Sequence, residues 1–331
     1  MTVVVEPPPR AGARHASGGA PDGLVIGLVN NMPDSALEGT EAQFFGLLQA
    51  AAGRSELRLR IAALPEVPRG PDARQRIDAA YWTIGELMDS SVDALIVTGT
   101  EPRAASLVDE PYWTRMIEVL EFADSSTFSS IWSCLAAHAA VLAIDGIERR
   151  RRSEKLCGVF RHQLLEGHAL SAGLASPHLV PHSRWNDLPI EQLRAADYAV
   201  VAESAATGAD TFVKFRKSML VFLQGHPEYE ERTLLKEYQR DVQRFIGGQQ
   251  PVYPTLPAGY FSPAAIELLA LFERDLKAGR LADPVAAFPF TAVTGTLSSE
   301  WRPAAARLFS NWLGYVAERK AAAGIQNRYA L

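Results

Sequence analysis

Residues 128–144 read FSSIWSCLAAHAAVLAI. Phe128 to Ser133 is a short run of strand length that carries Phe128, Ile131 and Trp132. Leu135 to Ile144 is an alanine- and leucine-rich run with no Gly or Pro, which suits a helix. Strand therefore passes straight into helix, with Cys134 at the junction. The same alternation recurs outward. Leu24 to Val29, Leu57 to Ala63 and Asp93 to Thr98 read as strands, and Thr40 to Ala52, Ala79 to Met88 and Tyr112 to Ala123 as helices. Strands alternating with helices imply right-handed crossovers and an α/β fold with a mostly parallel sheet flanked by helices.

The rest of the chain divides around this core. Residues 1–22 are rich in Pro, Gly and Ala and read as a disordered tail. Ordered structure is expected from Gly23, with one domain over residues 23–250. Arg149 to Arg152 reads as a solvated loop. Val159-Phe160 and His178 to Pro181 read as short strands. Tyr198 to Glu203, Thr211 to Phe215 and Met219 to Leu223 read as a meander closing the sheet. Leu234 to Phe245 is a helix. Residues 251–331 then supply a loop and two helices, about Ala264 to Lys277 and Trp301 to Lys320, expected to pack on the same domain.

Composition removes several classes. The chain has 331 residues, a formal charge of -5 and two cysteines. The charge argues against a general nucleic-acid binder. No apolar run is long enough to span a membrane. Two cysteines make neither a disulfide framework nor a four-cysteine zinc site, and the histidines lack zinc-helix spacing, so no metal is expected. A cytoplasmic globular protein is the expectation.

The chemistry starts at Cys134. A strand-to-helix turn is the sequence shape of a nucleophile elbow. The helix N-terminus favours a thiolate, and the N–H of Leu135 faces the position of an oxyanion. A buried structural cysteine is the alternative. Gln224-Gly225-His226-Pro227-Glu228-Tyr229 follows another strand end. His226 there can take a proton from Cys134, and Glu228 can orient the ring. Parallel α/β sheets carry their sites at the carboxyl ends of strands, where both segments fall. Gly99-Thr100 ends a third strand and can offer a second oxyanion N–H, from Gly99 or Thr100.

These pieces resemble the class I glutamine amidotransferase fold, which is flavodoxin-like. The resemblance narrows with Asn30-x-Met32-Pro33, Thr40-Glu41-x-Gln43-Phe44, Glu154-Lys155-Leu156-x-Gly158-Val159-Phe160, Pro181-His182-Ser183-Arg184, Ala202-Glu203-Ser204, Glu237-Tyr238-x-Arg240-Asp241 and Ser310-Asn311-Trp312-Leu313. In this order they resemble the homoserine O-acyltransferase family, from about residue 24 to 316. The resemblance implies transfer of a succinyl or acetyl group from acyl-CoA to the hydroxyl of L-homoserine, on the way to methionine, by a ping-pong route through a Cys134 thioester. Acyl-CoA is then a substrate, and no cofactor is implied. Cys134, His226 and Glu228 match the family's triad, and Lys155, Ser183 and Arg240 match positions that bind substrate. A homodimer is implied by resemblance only.

The departures matter. The elbow reads Cys134-Leu135-Ala136-Ala137-His138, where the family has Cys-Trp-x-x-Gln. The segment Asp34 to Gly39 is acidic where the family has lysines. The family position tied to acyl choice falls by count at Arg103, which could pair with the free carboxylate of a succinyl group. Serine as acceptor, or a glutaminase on the same scaffold, are the other readings.

Overall fold

The computed structural model describes residues 3–9, 23–53, 56–165 and 167–329. Val3–Val5 forms strand β1, and Leu24–Val29 forms β2, buried along its whole length. Helix α1 (Leu37–Ala51) leads to β3 (Leu57–Ala62). Helices α2 (Pro71–Ala80) and α3 (Ile84–Asp89) precede β4 (Ala94–Thr98). Helix α4 (Trp113–Ser126), β5 (Ser129–Ser133) and α5 (Leu135–Asp145) follow. The chain then runs through β6 (Arg150–Leu164), β7 (His178–Asp187), α6 (Ile190–Ala195), β8 (Ala199–Ser204), β9 (Gly208–Phe215) and β10 (Met219–Leu223). Helices α7 (Thr233–Ile246), α8 (Pro263–Lys277), α9 (Phe290–Thr294) and α10 (Arg302–Tyr329) complete it.

The sheet order is β1-β3-β2-β4-β5-β10-β9-β8-β6-β7. From β1 to β10 each neighbouring pair is parallel, and beyond β10 each is antiparallel. Within it, β3-β2-β4-β5-β10 is the flavodoxin-like order, whose ligand crevice lies at the carboxyl ends of the strands. The period of two along each strand divides its side chains between two cores. Leu95, Val97, Trp132 and Phe222 pack against α4 and α5. Ile26, Ile96, Ile131 and Val221 pack with Phe44 of α1 and Phe309 and Trp312 of α10 on the other face. Each such side chain, fully buried, contributes roughly 1.5–3 kcal/mol. A third cluster joins Val159 and Tyr229 to Leu234, Tyr238, Leu269, Phe272 and Trp301. No helix among the described residues is long and apolar enough to cross a membrane.

Three expectations change. The disordered tail fails at its start: Val3, Val4 and Val5 pair in parallel with Leu57, Arg58 and Leu59. The edge of the sheet offers a short β-branched run more hydrogen bonds than solution order alone would suggest, while residues 10–22 lie outside the described residues. Arg150 to Arg152 belongs to β6 and not to a loop. Its charges are met locally: Arg150 by Glu191 at 2.9 Å, Arg152 by Asp187, and Arg151 by the face of Trp185 at 4.8 Å. The helix read over Ala79 to Met88 is two helices. Thr83 caps α3, accepting from the N–H of Glu86, and the Trp82 N–H is drawn to the Ile61 carbonyl at 2.7 Å.

Candidate active site

Cys134 has φ 51° and ψ -110°, a conformation that L-residues rarely hold. Such strain costs on the order of 1–3 kcal/mol and needs surroundings that enforce it. Here its N–H donates to the Leu223 carbonyl at the end of β10, at 2.7 Å, and its carbonyl accepts from the His138 N–H at 3.2 Å. The elbow is thus clamped between a neighbouring strand and its own helix. Gly99 closes over it: a Cβ there would lie 2.4 Å from the Leu135 Cβ and 3.1 Å from the Ala136 nitrogen. Buried Ala136, Ala137, Ala139 and Ala140 let α5 sit this close to the sheet.

His226 and Glu228 stand past the end of β10, the strand beside β5. His226 Nδ1 and Glu228 Oε1 are 2.8 Å apart. The Cys134 sulfur is the other group that acts on the ring. Burial alone would depress this imidazole. The Glu228 carboxylate and the Cys134 sulfur overcome that and hold it well above its usual value. The ring therefore favours its imidazolium form. The loop is fixed by its backbone: the His226 N–H donates to Pro181 O at 2.8 Å, and the Gly225 N–H to Asp210 Oδ1 at 2.9 Å. Tyr229 stacks on the ring, centroids 4.3 Å apart.

Lys155, Ser183 and Arg240 also converge, around two carboxylates on α7. Lys155 Nζ is 2.7 Å from Asp241 Oδ2 and 3.8 Å from Glu237 Oε2. Ser183 donates to Glu237, and Arg240 lies 3.3 Å from Asp241. Tyr229 donates to Glu237 at 2.6 Å, so the stack on His226 ties this group to the elbow. Cys157 sits inside it. Burial pushes its thiol up to about 12, against the pull of Lys155, which leaves it protonated at neutral pH.

A cleft of about 800 Å³ opens over Cys134, lined by Thr100, His138, Arg149, Arg151, Ser183 and Arg184 among others. Thr100 and Leu135 lie in its wall beside the sulfur, so the N–H groups of Leu135, Gly99 and Thr100 belong to this end of the molecule. Lys155 and Arg240 are not among its lining residues, and neither is Arg103. Arg103 is exposed. Its backbone N–H and that of Ala104 donate to the buried Glu110 at 2.6 and 2.7 Å, and its charge acts on Asp34. The acidic segment after Pro33 is the short helical entry to α1, with Asp34 held by the Gly70 N–H at 2.8 Å and by Arg69.

His138 Nε2 meets Gln224 Oε1 at 3.1 Å, and that oxygen also accepts from the Leu188 N–H at 3.0 Å. The amide acceptor fixes the proton on Nε2, and burial pushes the imidazole down to about 3, so it is neutral. His162, His182 and Asp210 place one ligand-type atom each within 4.8 Å of one another. Arg184 Nε donates to His182 Nδ1 at 3.2 Å, which leaves the proton on Nε2 and directs it at His162 Nε2, 3.2 Å away. A metal-ligating histidine instead donates its second nitrogen's proton outward. The donor set therefore fits a hydrogen-bond chain beneath the His226 loop and not a metal.

Sequence reasoning did not single out Tyr112, Arg149, Gln224, Glu237, Asp241 or Trp301. Glu237 and Asp241 lay inside a quoted motif, one helical turn apart, a spacing that signals a shared face. Arg149 stands in a run of four arginines, which hides it among its neighbours.

The homoserine O-succinyltransferase family model matches residues 12–322. A homoserine O-succinyltransferase of Rhodopseudomonas palustris is 46% identical over 290 residues, 88% of this chain and 87% of that protein. One from Methylorubrum extorquens is 45% identical over 300 residues, 91% and 89% of the two. Among solved structures, a glutamine amidotransferase of Methylobacillus flagellatus is similar at a TM-score of 0.46 and 13% identity, covering 89% of this chain and 96% of that one. The chain belongs to the homoserine O-succinyltransferase family.

Proposed function

We infer that this O-acyltransferase moves a succinyl group from succinyl-CoA to the hydroxyl of L-homoserine, in two half-reactions through Cys134. The observation that carries this reading is the strained cysteine whose sulfur acts electrostatically on a buried histidine, with that histidine's Nδ1 2.8 Å from a buried carboxylate. In the first half, the Cys134 thiolate attacks the thioester carbonyl. A carbon–sulfur bond to Cys134 forms, the bond to CoA breaks, and the departing thiolate takes a proton from the His226 imidazolium. In the second, the homoserine hydroxyl gives its proton to neutral His226 as its oxygen attacks the acyl-enzyme, and Cys134 leaves as thiolate. Glu228 holds the ring and favours its cationic form in both. The N–H groups of Leu135 and of Gly99 or Thr100 stabilise the tetrahedral oxyanion.

Arg240, Lys155 and Ser183 form the acceptor's subsite in this reading, with Arg240 gripping the α-carboxylate. All three already engage the carboxylates of Glu237 or Asp241, so the acceptor's carboxylate exchanges partners with them, and its ammonium meets Glu237 or Asp241. The reading includes no cofactor beyond acyl-CoA, a cytoplasmic workplace where acyl-CoA is made, and a homodimer.

Intact-mass measurement tests it. Incubation with succinyl-CoA should add one acyl group, absent in Cys134→Ala and removed by homoserine. Removal by serine and not homoserine would identify another acceptor. Glutamine hydrolysis without any acyl adduct would overturn acyl transfer.

A further inference from the structure

Three arginines line the cleft over Cys134, and they differ in how far they are committed. Arg184 is buried and saturated: it donates to His182, to the Asn186 carbonyl at 2.7 Å and to the Thr207 carbonyl at 2.6 Å, and pairs with Asp187. Arg151 lies over the Trp185 ring. Arg149 is half-buried, and among the described residues it makes neither a side-chain hydrogen bond nor a salt bridge.

Its surroundings are equally unfinished. Tyr112 is 2% exposed, and among the described residues its hydroxyl has no hydrogen-bond partner. That hydroxyl, Glu110, Cys134 and Arg151 are the groups that act electrostatically on Arg149. Among the described residues Glu110 makes no salt bridge to Arg149, and its Oε1 accepts from the amides of Arg103 and Ala104. A guanidinium drawn out of water without an ion pair or hydrogen bond is costly unless a ligand completes it. A planar fork of donors lining the cleft matches a carboxylate. In an acyl group on Cys134, the fourth carbon of an extended succinyl chain lies about 4 Å from the first. An acetyl group has nothing at that distance.

We propose that Arg149, in the wall of the cleft over Cys134, receives the distal carboxylate of the acyl group and so selects a dicarboxylic acyl thioester, succinyl, over acetyl. This rests on the acyl-transfer reading above. It assigns the role to the start of β6 and not to Arg103, whose backbone only shapes the same wall through Glu110.

The test uses the full chain and reads CoA release, in a single turnover, from succinyl-CoA and acetyl-CoA. In Arg149→Gln the rate with succinyl-CoA should fall about 10- to 100-fold, the size expected for losing hydrogen bonds to a charge. The rate with acetyl-CoA should stay within about threefold, being untouched by that contact. Arg149→Lys keeps the charge but loses the fork, and should fall by less, again with succinyl-CoA alone. Equal loss with both donors would overturn the proposal and place Arg149 on the nucleotide phosphates of CoA. Loss of selectivity in Arg103→Glu with none in Arg149→Gln would overturn it in favour of Arg103. A wild-type chain that releases CoA from neither donor would instead sink the acyl-transfer reading, and the proposal with it. Far-UV circular dichroism of each variant separates misfolding from altered selectivity.

Discussion

The indole N–H of Trp301 donates to the carbonyl of Tyr229 at 2.8 Å, across 72 residues of chain. Arg302 Nη1 reaches the Glu228 carbonyl beside it at 3.2 Å. The start of α10 therefore grips the far end of the loop that holds His226 and Glu228. Trp301→Phe keeps most of the packing but leaves a buried carbonyl without its donor, a loss of about 1–3 kcal/mol. The expected result is a lower kcat with KM for both substrates little changed, and a displaced acid limb of the pH profile as His226 loses its alignment with Glu228. An unaltered profile with reduced melting temperature alone would make Trp301 a packing residue only.

The two cysteines should behave oppositely. Cys134→Ala is expected to lower turnover by at least about 10⁴-fold, the scale on which nucleophile removal acts, with an unchanged circular dichroism spectrum. Cys157, held as a neutral thiol, has no comparable reactivity. Cys157→Ser should leave steady-state rates within about threefold. Alkylation by iodoacetamide near neutral pH, followed by peptide mass analysis, should label Cys134 first.

Glu228→Gln should alter stability in a pH-dependent way. The His226 pKa in the folded chain lies well above 6.5, despite burial, because of Glu228 and Cys134. A raised pKa in the folded state stabilises fully below the unfolded value near 6.5 and is lost as pH rises through the folded value. Urea unfolding should therefore show wild type most ahead of Glu228→Gln near pH 5.5–6, with the gap closing in alkaline buffer. A gap that widened with pH would contradict this assignment.

Gly99→Ala tests the roof of the elbow. The new Cβ would meet Leu135 Cβ at 2.4 Å and Leu135 Cα at 3.0 Å, so backbone must shift. Overpacking of this kind costs about 1–3 kcal/mol. Because the displaced atoms carry the Leu135 N–H, turnover should fall more steeply than stability. Thermal melts and kcat on the same preparation check the comparison.

Arg240→Ala separates the half-reactions. Acyl-enzyme formation from succinyl-CoA should proceed near the wild-type rate. Discharge by homoserine should need about 10-fold or more acceptor, as expected when a carboxylate loses a charged donor. A matching loss in the first half would show that Arg240 serves the donor and not the acceptor.

Much of the framework is legible in the chain. Buried parallel strands such as Leu24–Val29 and Ala94–Thr98 are continuous apolar runs, so they stand out from their flanks. Cys134 is legible because strand meets helix there with no intervening loop, and His226 and Glu228 because they follow a strand end. β1 is not legible: three valines become a strand only because Leu57–Ala62 presents them an edge. Arg150 to Arg152 in β6 is hidden for a similar reason, since the partners of its charges lie on β7 and α6.

The local pattern of the sequence determined the parallel α/β core and the elbow, because burial and the junction geometry are written in consecutive residues. The tertiary structure decided which other groups face that elbow. Strand order sets β10 beside β5 and so brings His226 to Cys134. The packing of α7 turns Glu237 and Asp241 toward Lys155 and Ser183. The cleft wall leaves Arg149 half-buried with no salt bridge or side-chain hydrogen bond among the described residues. Such relationships depend on distances between segments far apart in the chain, and on which charges are already neutralised. Neither quantity has a local signature in the sequence.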